Sequence, residues 1–189
     1  MPIETSVLVT KYTWLIPALL ELASMDVVRR REFTRIMSVE ISKDLARSIL
    51  WTLSKLGLIE KGYEEGTYKI TPELRKHADN VRKHIVTVRK HRMLVLFGGL
   101  YYLVTVRKEK ITVRFVSEEL VRRVRDLLAE GPRSVKELVD MIGEKADRVN
   151  TALRVLELLG LIEKDRIEQE GRVIYRLRSA TDPSLISRS

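Results

Sequence analysis

Leu53-Ser54-Lys55-Leu56-Gly57-Leu58-Ile59-Glu60-Lys61 recurs 103 residues later as Leu156-Glu157-Leu158-Leu159-Gly160-Leu161-Ile162-Glu163-Lys164, with seven of the nine positions identical. An apolar-periodic stretch running into Leu-Gly-Leu-Ile reads as a helix stopped by a left-handed glycine, followed at once by a strand. The repeat makes the two ends of the chain copies of one module. Each copy reads as an apolar-periodic helix, a short second helix, a longer third helix ending at the Gly, and a two-stranded hairpin.

Working outward in the second copy, Ser117 opens a helix reaching about Ala129, and Gly131-Pro132 stops it because Pro cannot continue the hydrogen-bond ladder. Ser134 caps a short helix over Val135 to Ile142, and Gly143 separates it from a third helix, about Glu144 to Leu159. On this third helix Val149, Ala152, Leu153, Leu156 and Leu159 form the inward stripe, leaving Lys145, Arg148, Thr151 and Arg154 outward or flanking. Strands on either side of Glu170-Gly171 complete the copy. In the first copy Pro17 sits near the start of the first helix, a short helix is expected near Glu32 to Met37, and Ser42 caps the third helix. There Ala46, Ile49, Leu50, Leu53 and Leu56 point inward while Lys43, Arg47, Ser48 and Trp51 lie outward or flanking. Glu64-Glu65-Gly66 forms its hairpin turn.

Between the copies, Arg75-Lys76-His77, Arg82-Lys83-His84 and Arg89-Lys90-His91 recur at a spacing of seven. Leu74, Ala78, Val81, Ile85, Val88 and Val95 follow helix-seam spacing, so one long basic helix is expected from Pro72 to about Leu96. Gly98-Gly99 ends it, and a hairpin turning at Arg107 to Lys110 follows. A zipper through this seam is disfavoured, since basic groups flank it on both sides. The 14-residue uncharged run from Met93 to Val106 is a candidate homodimer surface or a site for a protein partner, the plain alternative being an intrachain core. It is too short to span a bilayer, which needs about 18 or more residues.

The chain has 189 residues, 44% apolar, enough for one or two domains with real cores. It carries 35 Lys and Arg against 26 Asp and Glu, a formal +9. Residues 1–71 hold 10 basic and 9 acidic groups, residues 72–116 hold 11 and 3, and residues 117–189 hold 14 and 14. The excess lies in the middle, and its expected partner is a polyanion. With no Cys there is no disulfide framework, thiolate zinc site or thiol nucleophile. Gly-rich phosphate loops, His-Glu-x-x-His helices, Ser-centred elbows and clustered carboxylates are absent from the sequence, so no enzyme, cofactor or metal site is expected. His77, His84 and His91 would lie about 10 Å apart along a helix, too far to share a metal, and read as solvated positions, with pH sensing as the alternative. No basic stretch precedes an apolar run at the N-terminus, so a cytoplasmic protein without membrane contact is expected. Scarce Asn and Gln beside abundant Arg, Lys and Glu resembles thermophile composition.

Three helices followed by a two-stranded wing, the third helix ending in Leu-Gly-Leu-Ile, resembles the winged helix-turn-helix superfamily over about residues 14–71 and 117–178. The expected fold class is mainly α with small β-wings (α+β): a winged-helix domain over residues 1–71, a basic long helix and apolar hairpin over 72–116, a second winged-helix domain over 117–178, and a polar, disordered tail over 179–189. The resemblance implies double-stranded DNA binding, most simply by a transcriptional regulator. Third-helix residues Lys43, Arg47, Ser48, Lys145, Arg148, Thr151 and Arg154 would reach base edges and phosphates. Wing residues Lys69, Arg172, Arg176 and Arg178 would meet phosphate, the second wing better than the first because Glu64 and Glu65 occupy the first tip. Arg75, Lys76, Arg82, Lys83, Arg89 and Lys90 on the long helix would supply further phosphate contacts. Tandem winged helices also serve as protein adaptors in chromosome-segregation and transcription assemblies, and as replication initiators, and these are the alternatives.

Overall fold

A computed structural model of the chain describes residues 2–167 and 170–179. It corrects the mainly α expectation: the chain is α+β, 42% helix and 30% strand, with seven helices and four small antiparallel sheets among the described residues. Its contacts divide it into unit 1 (Met1–Phe97 and Tyr102–Val113) and unit 2 (Gly98–Tyr101 and Arg114–Ser189).

Unit 1 begins with α1 (Thr5–Lys11), a 3-10 turn and α2 (Ile16–Leu22), where Pro17 takes the first-turn place in which a missing N–H costs nothing. Then come β1 (Val27–Arg29), β2 (Arg35–Ile36), β3 (Val39–Glu40), α3 (Lys43–Lys55), β4 (Ile59–Lys61), β5 (Thr67–Ile70) and α4 (Pro72–Arg82). The sheet order is β1-β5-β4, with β1 and β4 on either side of β5. Leu8, Ile16, Leu19, Leu22, Ile49, Leu50, Leu53, Leu74 and Val81 are fully buried, and α4 packs on both α1 and α2. Truncating a buried Leu such as Leu53 to Ala costs about 2–5 kcal/mol.

The short helix expected near Glu32 to Met37 is a two-residue hairpin. Arg35 pairs with Glu40 and Ile36 with Val39, and Met37 and Ser38 turn the chain at φ 50° and 63°. Two consecutive positive φ values are the signature of the tight primed turn that matches strand twist. Phe33 and Ile36, both buried, mimic helical spacing while lying in a loop and a strand. The first copy therefore lacks the short second helix expected of it, with this hairpin in its place.

The long basic helix is also corrected. It ends at Arg82, and a four-stranded sheet follows: β6 (Ile85–Arg89), β7 (Arg92–Phe97), β8 (Leu100–Val106) and β9 (Ile111–Ser117), in that order. Ile85, Val86, Thr87 and Val88 are four consecutive β-branched residues, which lose χ1 freedom in a helix and suit a strand. Ile85 and Val95, assigned to one seam by spacing, face each other across β6 and β7, as do Val88 and Met93. Met93, Leu94, Val95, Tyr102, Leu103, Val104 and Val106 are at most 6% exposed, so half of the apolar run is interior, while Leu96, Phe97, Leu100 and Tyr101 are half-buried.

Unit 2 runs α5 (Glu118–Ala129), α6 (Val135–Ile142), α7 (Ala146–Leu158), β10 (Ile162–Ile167) and β11 (Arg172–Leu177). Ser117 and Ser134 cap α5 and α6 as their positions suggest, and Ser134 and Glu137 complete a capping box. The three helices pack on one another, α5 also covers β11, and a single bridge pairs Arg133 with Tyr175. The repeated Leu-Gly-Leu-Ile is the same device in both units. Gly57 (φ 71°) and Gly160 (φ 73°) are left-handed, the Leu58 amide donates to the Leu53 carbonyl, and the Leu161 amide to that of Leu156, each at 3.0 Å. This double-capped helix end delivers the chain directly into a strand. The tail over residues 179–189 lies, beyond Ser179, outside the described residues.

Candidate nucleic-acid interface

In unit 1, α3 starts where Ser42 bends the chain out of an extended conformation, its hydroxyl accepting from the Leu45 amide at 3.2 Å. The buried stripe Leu45, Ala46, Ile49, Leu50 and Leu53 fixes the helix rotation, which leaves Lys43, Arg47, Ser48 and Trp51 exposed. Arg47 meets Asp44 at 3.8 Å with both side chains in solvent, a contact weak enough for a phosphate to displace.

The Ser42 amide donates 2.8 Å to the carbonyl of Lys108 in the turn between β8 and β9. That turn carries Arg107, Lys108 and Lys110 beside Glu109, all exposed. The Val106 amide in turn donates to the His91 carbonyl at 2.9 Å, which sets the turn carrying Arg89 and Lys90 next to it. Lys90 holds φ 52°, the left-handed geometry of that turn. None of Lys43, Arg89, Lys90, Arg107, Lys108 and Lys110 joins a salt bridge among the described residues, so one end of the sheet and the start of α3 bring together cations without internal partners, beside the exposed acids Asp44 and Glu109. Sequence reasoning put Arg89 and Lys90 on a helix and passed over Lys108 and Lys110. The basic turn of four residues after an apolar strand was the available signal.

The α4 cations are less available. Arg75 donates to the Met25 carbonyl and the Asp26 carboxylate, both at 2.8 Å, which makes it a clamp on the end of α2 rather than a phosphate ligand. Arg82 pairs with Asp79 at 2.8 Å and Lys76 approaches Glu73 at 3.9 Å, while Lys83 is exposed without an ion pair among the described residues. The solvated-histidine expectation is corrected too. His77 is 3% exposed, with Nδ1 2.8 Å from the Thr5 hydroxyl and Nε2 3.6 Å from Glu73. His84 is half-buried edge-on against Phe97, and His91 is half-buried.

In unit 2, Lys145 at the N-cap of α7 and Arg148 and Arg154 on the helix are exposed, Arg148 lying 3.5 Å from Glu144. Thr151 is only 4% exposed and its hydroxyl donates to the Asp147 carbonyl at 2.8 Å, so it belongs to the packed face and cannot read a base. The wing cations are largely neutralised within the unit. Arg172 meets Glu137 and Glu170, Arg176 meets Glu163 and Asp165, and the Arg178 Nε is buried without a hydrogen-bond partner. The first wing carries acids of its own, Glu64 and Glu65 at its tip, with Arg29 3.4 Å from Glu64. In the first wing Lys69 stands over the ring of Tyr63, which is 97% exposed.

Glu137 is held below its ordinary value of 4.5, first by the hydrogen bond from the Ser134 amide, then by the Ser134 hydroxyl and by Arg172 and Arg133. Burial pushes the phenols of Tyr101 and Tyr175 up, helped by Glu118 and Glu157 respectively.

No helix among the described residues is long and apolar enough to cross a membrane. Comparison with protein-family models, curated proteins and solved structures gives no match for this chain.

Proposed function

We propose that this chain binds double-stranded DNA as a transcriptional regulator of winged-helix type, with unit 1 as its principal contact. The observation that carries the reading is the hydrogen bond from Ser42 to Lys108. It joins the exposed face of a 13-residue helix bearing Lys43, Arg47 and Ser48 to a sheet end bearing unpaired Lys and Arg. Helix-borne Arg and Ser reach base edges when a helix enters the major groove, while flanking cations meet phosphates and set the register. In unit 2, Lys145 at the N-cap of α7, with Arg148 and Arg154 on the helix, supplies a second, less charged reading helix.

Replacing Arg47, Arg148 and Arg154 together by Ala tests base reading. The expected result is loss of discrimination between a selected duplex and random duplex, with residual nonspecific affinity retained. Unchanged discrimination removes base reading by these helices. A second reading, a protein adaptor, is favoured by the internal ion pairs of Arg172 and Arg176, which leave the unit 2 wing little attraction for a polyanion. An adaptor binds an acidic peptide and shows no duplex affinity near physiological salt.

A further inference from the structure

Between the loop that follows β1 and the first turns of α3 lies a groove of about 410 Å³. Its rim carries Arg30, Arg31, Lys43 and Arg47, and its floor is Phe33, Ile41 and Ala46. The floor residues are at most 5% exposed, so the base of the groove is packed and preformed. Arg30, Arg31 and Lys43 have no carboxylate partner among the described residues; Asp44 is a solvent-exposed neighbour of Arg47, and Glu32, Glu64 and Glu65 line an adjoining groove with Arg30 and Arg31 but not this one. Four cations converging on a concavity ask for an anion with several acceptor oxygens, and Arg forks match phosphate geometry. The volume lies within the range of small-molecule sites, and an apolar floor gives a planar body something to lie on.

We propose that this groove is a nucleotide-phosphate site, taking the phosphoryl group on Arg30, Arg31, Lys43 and Arg47 and the attached sugar and base over Phe33 and Ile41. The phosphoryl group belongs to a free nucleotide or to one unit of a bound strand. Because Lys43 and Arg47 also stand on the exposed face of α3, a free nucleotide and a duplex compete for them. That competition rests on the DNA-binding reading, whereas the groove's affinity for a phosphorylated ligand does not.

Calorimetric titration of the full chain with AMP, inorganic phosphate and adenosine tests the proposal, beside duplex binding measured with and without AMP. The expected result is AMP binding at least tenfold tighter than inorganic phosphate, and no binding of adenosine. The Arg30→Ala, Arg31→Ala double variant, altered at two exposed positions, melts at the wild-type temperature and loses AMP binding. AMP that displaces duplex identifies the free nucleotide as the ligand. AMP silence combined with a fivefold or larger loss of duplex affinity in the double variant identifies a strand phosphate instead. AMP silence with unchanged duplex affinity overturns the groove and leaves DNA binding standing. AMP binding without any duplex binding keeps the groove and removes the DNA reading.

Discussion

The Ser42 amide and the Lys108 carbonyl, 2.8 Å apart, tie the first residue before α3 to the tip of a β-turn 66 residues away in sequence. Ser42 thereby caps its helix with its hydroxyl and anchors the sheet end with its amide. Only the main chain of Lys108 is used, so its ammonium group is left for solvent or a ligand.

Replacing Lys108 and Lys110 by Ala consequently leaves the fold in place. Thermal melting shifts by less than the equivalent of about 0.5 kcal/mol, as for most surface changes. Affinity for every duplex falls similarly, and the slope of log K against log salt flattens by about 0.9 for each phosphate that is no longer neutralised. A selective loss for one sequence contradicts a phosphate role.

Arg75 behaves in the opposite way. Its guanidinium donates to the Met25 carbonyl and to Asp26, and its Nε lies 3.4 Å from the Ala23 carbonyl at the end of α2. The ion pair with exposed Asp26 contributes little, and the carbonyl acceptors carry the effect. Arg75→Ala is expected to lower unfolding free energy in urea by about 1–2 kcal/mol. The salt slope of duplex binding stays unchanged.

Thr151 and Arg154 separate packing from recognition on α7. Thr151→Val removes a hydroxyl that bonds the helix's own backbone and changes stability by no more than about 1 kcal/mol, without effect on duplex affinity. Arg154→Ala weakens duplex binding without altering the melting temperature. The reverse pattern places Thr151 on the contact face.

The capping box of α6 gives unit 2 a pH dependence. Glu137 has a folded pKa below its ordinary 4.5, so its contribution is present above that value and is lost as pH falls through the lowered one. Ser134→Ala costs about 1 kcal/mol at neutral pH. The stability difference between wild type and Glu137→Gln narrows as pH falls from about 7 to about 3. Equal differences across that range rule out the box as the origin.

What could be read in advance follows from how local each signal is. Gly57 and Gly160 announce their helix ends because a left-handed C′ residue followed by an apolar one is a local requirement, and Ser42, Ser117 and Ser134 announce helix starts for the same reason. Ile85, Val88 and Val95 satisfy a helical seam and a strand pair equally well, and only the β-branched run argues for the strand. Met37-Ser38 makes a tight turn without the Asn-Gly that usually marks one. The candidate interface was legible residue by residue for Lys43 and Arg47, but its extent was not. The Ser42 to Lys108 bond, like the pairing of Arg75 with Asp26, depends on tertiary proximity that periodicity does not encode.

Titration of a labelled random duplex with the full chain at several salt concentrations bears most directly on the cationic surface of unit 1. Binding at low salt is expected, with log K falling linearly against log salt and a shallower line for a Lys90→Ala, Lys108→Ala, Lys110→Ala variant. Absence of binding at low salt, or parallel lines for wild type and variant, contradicts the assignment of this surface to DNA.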